Sequence, residues 1–152
     1  MRTIKKISLP FILLLLSCIT GCDNEVDWSN GCYKLKFSYN RAFEIPEKSA
    51  MQSVDGQYRL RFDSVFTDSR CPQGAYCVWQ GIAGARFTLS RNNSELESFD
   101  LYTWNNPGAN WSDSALCKNL KIRLLELSPY PSVDLQNSYN NYKARIIVTK
   151  QK

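Results

Sequence analysis

The sequence predicts an all-β domain: a single antiparallel β-sandwich or barrel-like fold of about seven strands, stapled by disulfides. Two observations lead to this prediction. Apolar residues alternate with polar residues along several short runs, and Pro, Gly and Asn separate those runs. Strict alternation gives a strand one buried and one solvated face, as in antiparallel sheets. The 152 residues suffice for one domain with one core.

Five runs carry the alternation, and they cover residues 33–39, 58–63, 85–89, 99–101 and 142–148. The segment Arg91-Asn92-Asn93-Ser94 has the composition of a turn. Because it lies between two alternating runs, residues 84–103 are expected to form a hairpin. No internal repeat and no second domain is recognisable in the sequence.

Residues 116–127 fit two patterns. Leucines spaced three or four residues apart resemble a helical stripe, which Ser112 or Asp113 could cap. Apolar residues also alternate with basic ones from residue 120 onwards, and this pattern favours a strand over residues 120–127. The phase of the alternation changes at Leu124-Leu125, which indicates a β-bulge.

The N-terminal segment is predicted to be a targeting signal rather than part of the fold. Arg2, Lys5 and Lys6 precede an apolar run over residues 9–16. This run is much shorter than the ~20 residues that span a bilayer, as expected of a signal peptide. The segment Ile19-Thr20-Gly21-Cys22 then resembles the lipobox of bacterial lipoproteins.

The lipobox resemblance implies that residues 1–21 are removed and that the thiol of Cys22 carries diacylglycerol, with palmitate-type acyl chains. Two or three chains anchor a protein firmly, whereas one holds it reversibly. Residues 22–31 are polar and acidic and are interpreted as a lipidated tether, which leaves residues 32–152 as the β domain. In enterobacterial lipoproteins an Asp after the lipidated Cys favours the inner membrane. Asp23 therefore favours that membrane over the outer one, with the domain facing the periplasm.

Cysteine usage is consistent with an oxidising compartment. Cys18 leaves with the signal peptide and Cys22 carries lipid, so four of the six cysteines remain: Cys32, Cys71, Cys77 and Cys117. Four cysteines outside the cytoplasm allow three pairings. We favour Cys71–Cys77 as a local bridge and Cys32–Cys117 as a long-range staple. A zinc site is not expected, because Cys71 and Cys77 lack the close C-x₂-C spacing; no metal and no cofactor is predicted.

Composition and charge exclude several functions. The chain has no histidine, which removes Ser-His and Cys-His nucleophile pairs and His-ligated zinc. The net charge of +5 falls to about +2 when three basic residues leave with the signal peptide, so nucleic-acid binding is not expected. The sequence contains no S-x-x-K spacing, no phosphate-binding loop and no EF-hand. We therefore expect a protein that is not an enzyme, without catalytic residues.

One catalytic alternative stays open at this stage. Two carboxylates that converge in a cleft could hydrolyse a glycosidic bond, at a separation of roughly 5–10 Å. The acidic residues to consider are Glu44, Glu47, Asp55, Asp63, Asp68 and Asp100. Their scattered positions in the sequence do not predict such a convergence.

Residues 68–81 carry a recognisable motif. Asp68-Ser69-Arg70-Cys71-Pro72, Gly74, Cys77-Val78-Trp79 and Gly81 resemble the pattern D-S-R-C-P-x-G-x-x-C-x-W-x-G. That pattern occurs in small bacterial lipoproteins and secreted proteins with an all-β domain. The resemblance covers roughly residues 33–150, with Gln80 where a small residue is expected. It implies the fold and the compartment but no activity.

The signature residues have physically reasonable structural roles. Pro72 and Gly74 suit a tight turn between the two cysteines. Trp79 is expected to pack over the bridge like the core tryptophan of immunoglobulin-type sandwiches. Asp68 and Arg70 are expected to pair or to satisfy backbone groups of the turn. A structural corner is the favoured interpretation of this region, and a rigid platform for a partner is the alternative.

A second region of interest is the aromatic loop, residues 102–111. Tyr102, Trp104 and Trp111 lie among Asn, Pro and Gly, a composition that suits sugar stacking or a protein hot spot. The alternative is that these rings belong to a strand and the core. The leading hypothesis is a membrane-anchored, non-enzymatic domain that contacts another envelope component. The runner-up is a small-ligand or glycan binder that uses the aromatic loop.

Overall fold

A computed structural model describes residues 35–92, 94–133 and 141–151 of this chain. The described residues belong to one compact unit. The described part contains nine strands and one 3₁₀ turn: β1 Lys36–Phe37, β2 Ala42–Pro46, β3 Ser49–Ser53, β4 Tyr58–Asp68, β5 Ala83–Arg91, β6 Ser94–Tyr102, the 3₁₀ turn Pro107–Ala109, β7 Ser114–Cys117, β8 Leu120–Ser128 and β9 Lys143–Lys150. The all-β prediction is confirmed.

The strands form two sheets, with the orders β1-β3-β4-β5-β6 and β2-β9-β8-β7. The pairs are antiparallel, except that β1 pairs parallel to β3 over two residues. The described part thus has two strands more than the seven or so expected. In the described part of the run expected over residues 33–39, the strand is β1, and the chain then turns at Asn40, which has a φ of 59°. The short strands β2 and β3 follow this turn.

The core lies between the inner faces of the two sheets. The largest fully buried side chains are those of Phe37, Phe62, Phe87, Ile45, Leu60, Leu89, Leu101, Leu120, Ile122, Leu127, Ile146 and Val148. The rings of Phe62 on β4 and Phe87 on β5 stack with their centroids 4.8 Å apart. Truncating a buried leucine in such a core typically costs about 2–5 kcal/mol.

The predicted hairpin and the predicted strand near residue 120 are both present. Strands β5 and β6 pair antiparallel up to Arg91 opposite Ser94. Strand β8 contains the expected bulge, since its register with β9 shifts between Leu124 and Glu126. Leu124 and Leu127 are both buried although an odd number of positions separates them. Only a break in the alternation lets both side chains face the core.

Three of the sequence-based predictions fall on residues outside the described ranges. These are the signal peptide, the lipid attachment at Cys22 with its tether, and Cys32. Among the described residues, no helix is long and apolar enough to cross a membrane.

Candidate functional site: an aromatic row beside a disulfide loop

The signature residues Asp68 and Arg70 form a buried ion pair at the end of β4. Arg70 Nε and Nη2 donate to the two carboxylate oxygens of Asp68, at 2.9 and 2.7 Å. The Arg70 side chain is 5% exposed and that of Asp68 is 7% exposed. Tyr142, next to β9, also donates its hydroxyl to the Asp68 carboxylate, at 3.0 Å. The two residues therefore pair, which is one of the two roles expected of them.

Arg70 also links the two sheets. Its Nη1 donates to the carbonyl oxygen of Leu127 at 2.6 Å, and its Nη2 donates to that of Pro129 at 2.9 Å. The guanidinium lies 4.8 Å from the centroid of the Tyr130 ring. Leu127 belongs to β8, in the sheet opposite β4. This arrangement, called the cross-sheet ion pair below, gives Asp68 and Arg70 a structural role.

The environment of Asp68 favours its ionised form. Desolvation by burial opposes ionisation, but the hydrogen bonds and positive charge of Arg70 and the hydroxyl of Tyr142 outweigh it. The pKa of Asp68 is consequently lowered from its ordinary value. The Asp68 carboxylate is therefore ionised at neutral pH, and it is paired with the Arg70 guanidinium.

Gly81 occupies a position that only glycine fits. Its φ is +67°, and a Cβ there would lie 1.8 Å from the carbonyl oxygen of Ser69. The approach is this close because Ser69 N donates to Ile82 O at 2.8 Å and Cys71 N donates to Gln80 O at 2.7 Å. These bonds hold residues 69–71 against residues 80–82, which explains the glycine of the signature.

The predicted Cys71–Cys77 disulfide is present, with the two Cα atoms 5.9 Å apart. Inside the disulfide loop, residues 71–77, Ala75 N donates to Pro72 O at 3.1 Å. Gly74 adopts a φ of +88°, which glycine tolerates without strain. Pro72 and Gly74 thus lie in a turn, as the sequence predicts.

One side of the disulfide loop is fixed to the domain, while its tip is free of packing. Gln73 N donates to Pro131 O at 2.9 Å, and Val133 N donates to Gln73 O at 3.2 Å. Tyr76 in the loop and Val78, which directly follows the loop, are fully exposed, at 108% and 107%. The loop therefore presents apolar side chains to the solvent from an anchored backbone.

The second predicted disulfide, Cys32–Cys117, stays a prediction because Cys32 lies outside the described residues. Cys117 is buried at the end of β7 and forms no disulfide with another described cysteine. Burial and the neighbouring carboxylate of Glu97 raise the pKa of Cys117 to about 12. A thiol in this environment is protonated at neutral pH and reacts slowly.

Trp79 does not occupy the buried position expected of it. The side chain is 50% exposed and its ring stacks on that of Trp111, with centroids 6.1 Å apart and planes 24° apart. The chain turns inward only at Gly81, so that Ile82 is the first buried apolar side chain after the disulfide. This stacking joins the signature region to the aromatic loop.

Four aromatic rings form a continuous series across this surface, which we call the aromatic row: Phe66, Tyr102, Trp111 and Trp79. The Phe66 and Tyr102 rings meet edge to face at 5.9 Å, and the Tyr102 and Trp111 rings lie 6.3 Å apart. Tyr102 and Trp111 are partly buried, while Phe66 is 45% exposed. The row connects β4, β6, the aromatic loop and the end of the disulfide loop.

Phe66, at one end of the row, lies against β5 of the five-stranded sheet. A Cβ at Gly84 of β5 would lie 2.5 Å from Cζ of Phe66, so only a glycine there leaves room for the ring. Arg86, also on β5, has its guanidinium 5.6 Å from the Phe66 centroid. Arg86 also donates twice to Asp100, at 2.8 and 3.0 Å. The row thus ends at a matched pair of opposite charges.

Backbone and side-chain hydrogen bonds fix the aromatic loop. Tyr102 N donates to Ser112 O at 2.8 Å, and Asn106 and Trp111 exchange two backbone bonds at 2.8 and 3.1 Å. The side chain of Asn106 accepts from Gly108 N at 3.1 Å and caps the 3₁₀ turn. Trp104 lies in this fixed loop and is 50% exposed. Its ring is held by the backbone at the surface instead of packing into the core.

The two segments that frame the row carry no formal charge. Residues 71–82 and 101–112 contain no Asp, Glu, Lys or Arg, although 22% of the whole chain is charged. Their polar side chains are mainly amides and hydroxyls, and Gln80, Asn105 and Asn110 are exposed. These two segments therefore present aromatic faces and side-chain amides without formal charge.

Five of the six carboxylates considered for hydrolysis, all except Glu44, have partners of their own. Asp63 accepts from Arg61 and Thr88, Asp100 is paired with Arg86, and Glu47 accepts from the backbone N–H of Val65. Asp68 lies in the cross-sheet ion pair. These contacts hold the carboxylates within separate structural interactions.

Asp55 lies at another hydrogen-bonded centre, on the turn between β3 and β4. It accepts from Ser53 Oγ at 2.6 Å, Tyr39 Oη at 3.0 Å and Lys150 Nζ at 3.0 Å. Desolvation opposes ionisation of Asp55, but these bonds and the N–H of Gln57 hold its pKa far below the ordinary value. Asp55 therefore secures the end of β9 to this turn.

The described residues contain no group of three or more potential ligands among His, Cys, Asp and Glu that could hold a metal ion. Comparison of the chain with protein-family models, curated proteins and solved structures found no match.

Three exposed apolar residues of the site were missed by the sequence reasoning: Phe66, Tyr76 and Val78. Continued alternation from Phe62 would turn Phe66 inward. The register shift between Phe62 and Ser64 instead places Val65 opposite the buried Ala85 and against the core, so that Phe66 faces outward. The pair of cysteines around Tyr76 was the available signal for an exposed tip, because a small disulfide loop has no room for a core of its own.

Proposed function

We propose that this chain is a lipoprotein of the bacterial cell envelope whose β domain is a non-enzymatic binding module. The aromatic row, with Tyr76, Val78 and Trp104 beside it, is the surface that docks another envelope component. The observation that carries the proposal is the exposure of these rings on a backbone that disulfide, strand and loop contacts hold in place.

The membrane anchor of this proposal comes from the sequence. The order of basic residues, apolar run and Ile19-Thr20-Gly21-Cys22 supports lipid attachment at Cys22. An anchor of two or three acyl chains, palmitate among them, holds the domain at the membrane. Asp23 supports a periplasm-facing position at the inner membrane. The signature over residues 68–81 supports membership of the small bacterial lipoproteins and secreted proteins with that pattern.

The energetic argument for docking concerns area. A tryptophan side chain buries about 150–250 Å² when it is fully covered. Trp79 and Trp104 are each 50% exposed, so each has on the order of 100 Å² left to bury. At about 25 cal/mol per Å², covering one of them contributes about 2.5 kcal/mol before ordering costs. Because the backbone is already ordered, little of that gain is lost to immobilising the loop.

The non-enzymatic part of the proposal is supported by the engaged carboxylates and the histidine-free sequence. Carboxylates on the strands and loops accept hydrogen bonds from arginines, a lysine, hydroxyls and backbone N–H groups. Recruiting one of them for catalysis would break a structural contact. Binding by the aromatic row requires no such change.

Site-specific photocrosslinking in intact cells tests the proposal. A photoreactive phenylalanine derivative replaces Tyr76 in the full-length chain. The matched control replaces Leu116, which is 66% exposed on β7 of the four-stranded sheet, whereas the row lies on β4 and β6 of the five-stranded sheet. We expect a specific adduct from position 76 and none from position 116. Equal adducts at both positions, or none at either at native expression, contradict the proposed docking surface.

A further inference from the structure

We propose that the envelope component bound by the aromatic row is an uncharged glycan. This inference rests on the proposed function and names the chemical class of its ligand. It depends on three features of the site: the absence of charge in the two framing segments, the side-chain amides beside the rings, and the Arg86–Asp100 ion pair next to Phe66.

The absence of charge excludes ligands whose recognition depends on charge. Phosphates, uronates and nucleic acids are bound by arginine and lysine side chains that pair with them. Residues 71–82 and 101–112 supply none. Arg86, whose guanidinium lies against Phe66 of the row, already donates to both oxygens of Asp100. A charged ligand would therefore be desolvated against this surface without a partner of opposite charge.

The mixture of rings and amides matches the chemistry of a neutral sugar. A pyranose has an apolar face of C–H groups and a rim of hydroxyls, each of which donates and accepts. An aromatic side chain offers an apolar face, and a side-chain amide offers both a donor and an acceptor. Trp79 and Trp104 supply exposed aromatic surface, and Gln80, Asn105 and Asn110 supply exposed amides around them.

The form of the site favours a glycan over a protein partner. Protein interfaces combine an apolar centre with a polar, solvated rim. Here both framing segments lack charged residues, and the charges that meet the row, those of Arg86 and Asp100, are paired with each other. The row extends as a series of neighbouring rings about 6 Å apart, from Trp79 to Phe66 on the sheet surface. Such an extended arrangement suits a chain of sugars better than a compact side-chain anchor.

The ion pair next to Phe66 adds a polar contact without adding net charge. The Arg86 side chain is 55% exposed and that of Asp100 is 29% exposed. The guanidinium retains donors that point away from the carboxylate, and the carboxylate retains lone pairs. Hydroxyls of a sugar placed over Phe66 can bond to both groups while their charges cancel.

Titration of the full-length chain with neutral oligosaccharides tests this inference. The protein is purified in a polyoxyethylene detergent, because the sugar headgroup of a maltoside would compete for the site. The probes are tetramers of N-acetylglucosamine, glucose, mannose and galactose, with an oligogalacturonate as the charged comparison. Tryptophan emission and calorimetry report binding at low and high salt.

We expect at least one neutral tetramer to bind with an affinity that salt leaves unchanged within about twofold, since no counterions are released. Trp79→Ala and Trp111→Ala are each expected to weaken that binding about tenfold or more. Leu116→Ala, the control, retains the affinity of the unaltered chain. If Trp79→Ala keeps the urea midpoint of the unaltered chain, its weaker binding is due to the lost ring contact and not to unfolding.

Two results overturn the inference. One is the absence of binding by every neutral tetramer. The other is salt-sensitive binding of the oligogalacturonate alone. If the adduct at position 76 in cells is a protein and no glycan binds, the docking surface stands and its ligand class is wrong. If no adduct forms and no glycan binds, both proposals fail.

Discussion

Replacing Arg70 by methionine is expected to destabilise the domain by about 3–5 kcal/mol, because the change leaves a buried carboxylate without its cation. The Asp68 side chain is 7% exposed and would keep only its contacts with Tyr142 and a backbone N–H. The carbonyl oxygens of Leu127 and Pro129 would also lose their donor. A loss of this size is a large part of the 5–15 kcal/mol that typically stabilises a native domain.

Urea unfolding of the full-length chain at pH 7, with the disulfide intact, measures the effect. The matched control is Arg123→Met, which removes a 2.8 Å ion pair with Asp113 whose arginine is 55% exposed. That surface pair is expected to contribute about 0–1 kcal/mol. Asp68→Leu combined with Arg70→Met is expected to cost less than the sum of the single changes, since it leaves no uncompensated charge. Equal destabilisation by Arg70→Met and Arg123→Met would refute the reasoning.

Three further predictions concern the frame of the site. Gly81→Ala is expected to lower the free energy of unfolding, measured in urea, by more than about 2 kcal/mol, because of the positive φ and the clash with a carbonyl oxygen. Gly108→Ala is expected to change it little, because the nearest atom there is a side-chain oxygen at 3.4 Å. Because the folded-state pKa of Asp68 is lowered, its contribution to stability is full above its unfolded pKa of about 3.9 and is lost as the pH falls through the lower, folded value. When urea unfolding midpoints are measured at decreasing pH, the stability of Asp68→Asn should therefore fall less steeply than that of the unaltered chain. Non-reducing peptide mapping should yield a linked Cys32–Cys117 peptide, and alkylation of Cys117 in unfolded, unreduced protein would contradict that bridge.

The sequence predicted the fold class because burial imposes a period of two on strands that face one core. It predicted the bulge in β8 for the same reason, since Leu124 and Leu127 can both be buried only after a change of phase. It did not predict β2 and β3, whose short segments contain too few apolar residues for a visible alternation. Their partners, β9 for β2 and both β1 and β4 for β3, are set by the tertiary fold.

The site was predicted in its parts but not in its connection. Composition alone indicated Trp104 and Trp111 as a binding surface and placed Trp79 in a different, structural region. The stacking of Trp79 on Trp111 joins residues that are far apart in sequence, and Phe66 joins the row only because the register shift between Phe62 and Ser64 turns it outward. Such contacts depend on the packing of strands and loops against one another, which local patterns do not encode.

The central claim is that the aromatic row is a surface covered by another component of the envelope. Oxidative footprinting compares the accessibility of the same side chains in intact cells and in the purified full-length chain. We expect Trp79 and Trp104 to be oxidised several times more slowly in cells, while Tyr130, which is 43% exposed beside the cross-sheet ion pair, reacts equally in both. Equal oxidation of Trp79 and Trp104 in cells and in the purified protein would contradict the claim.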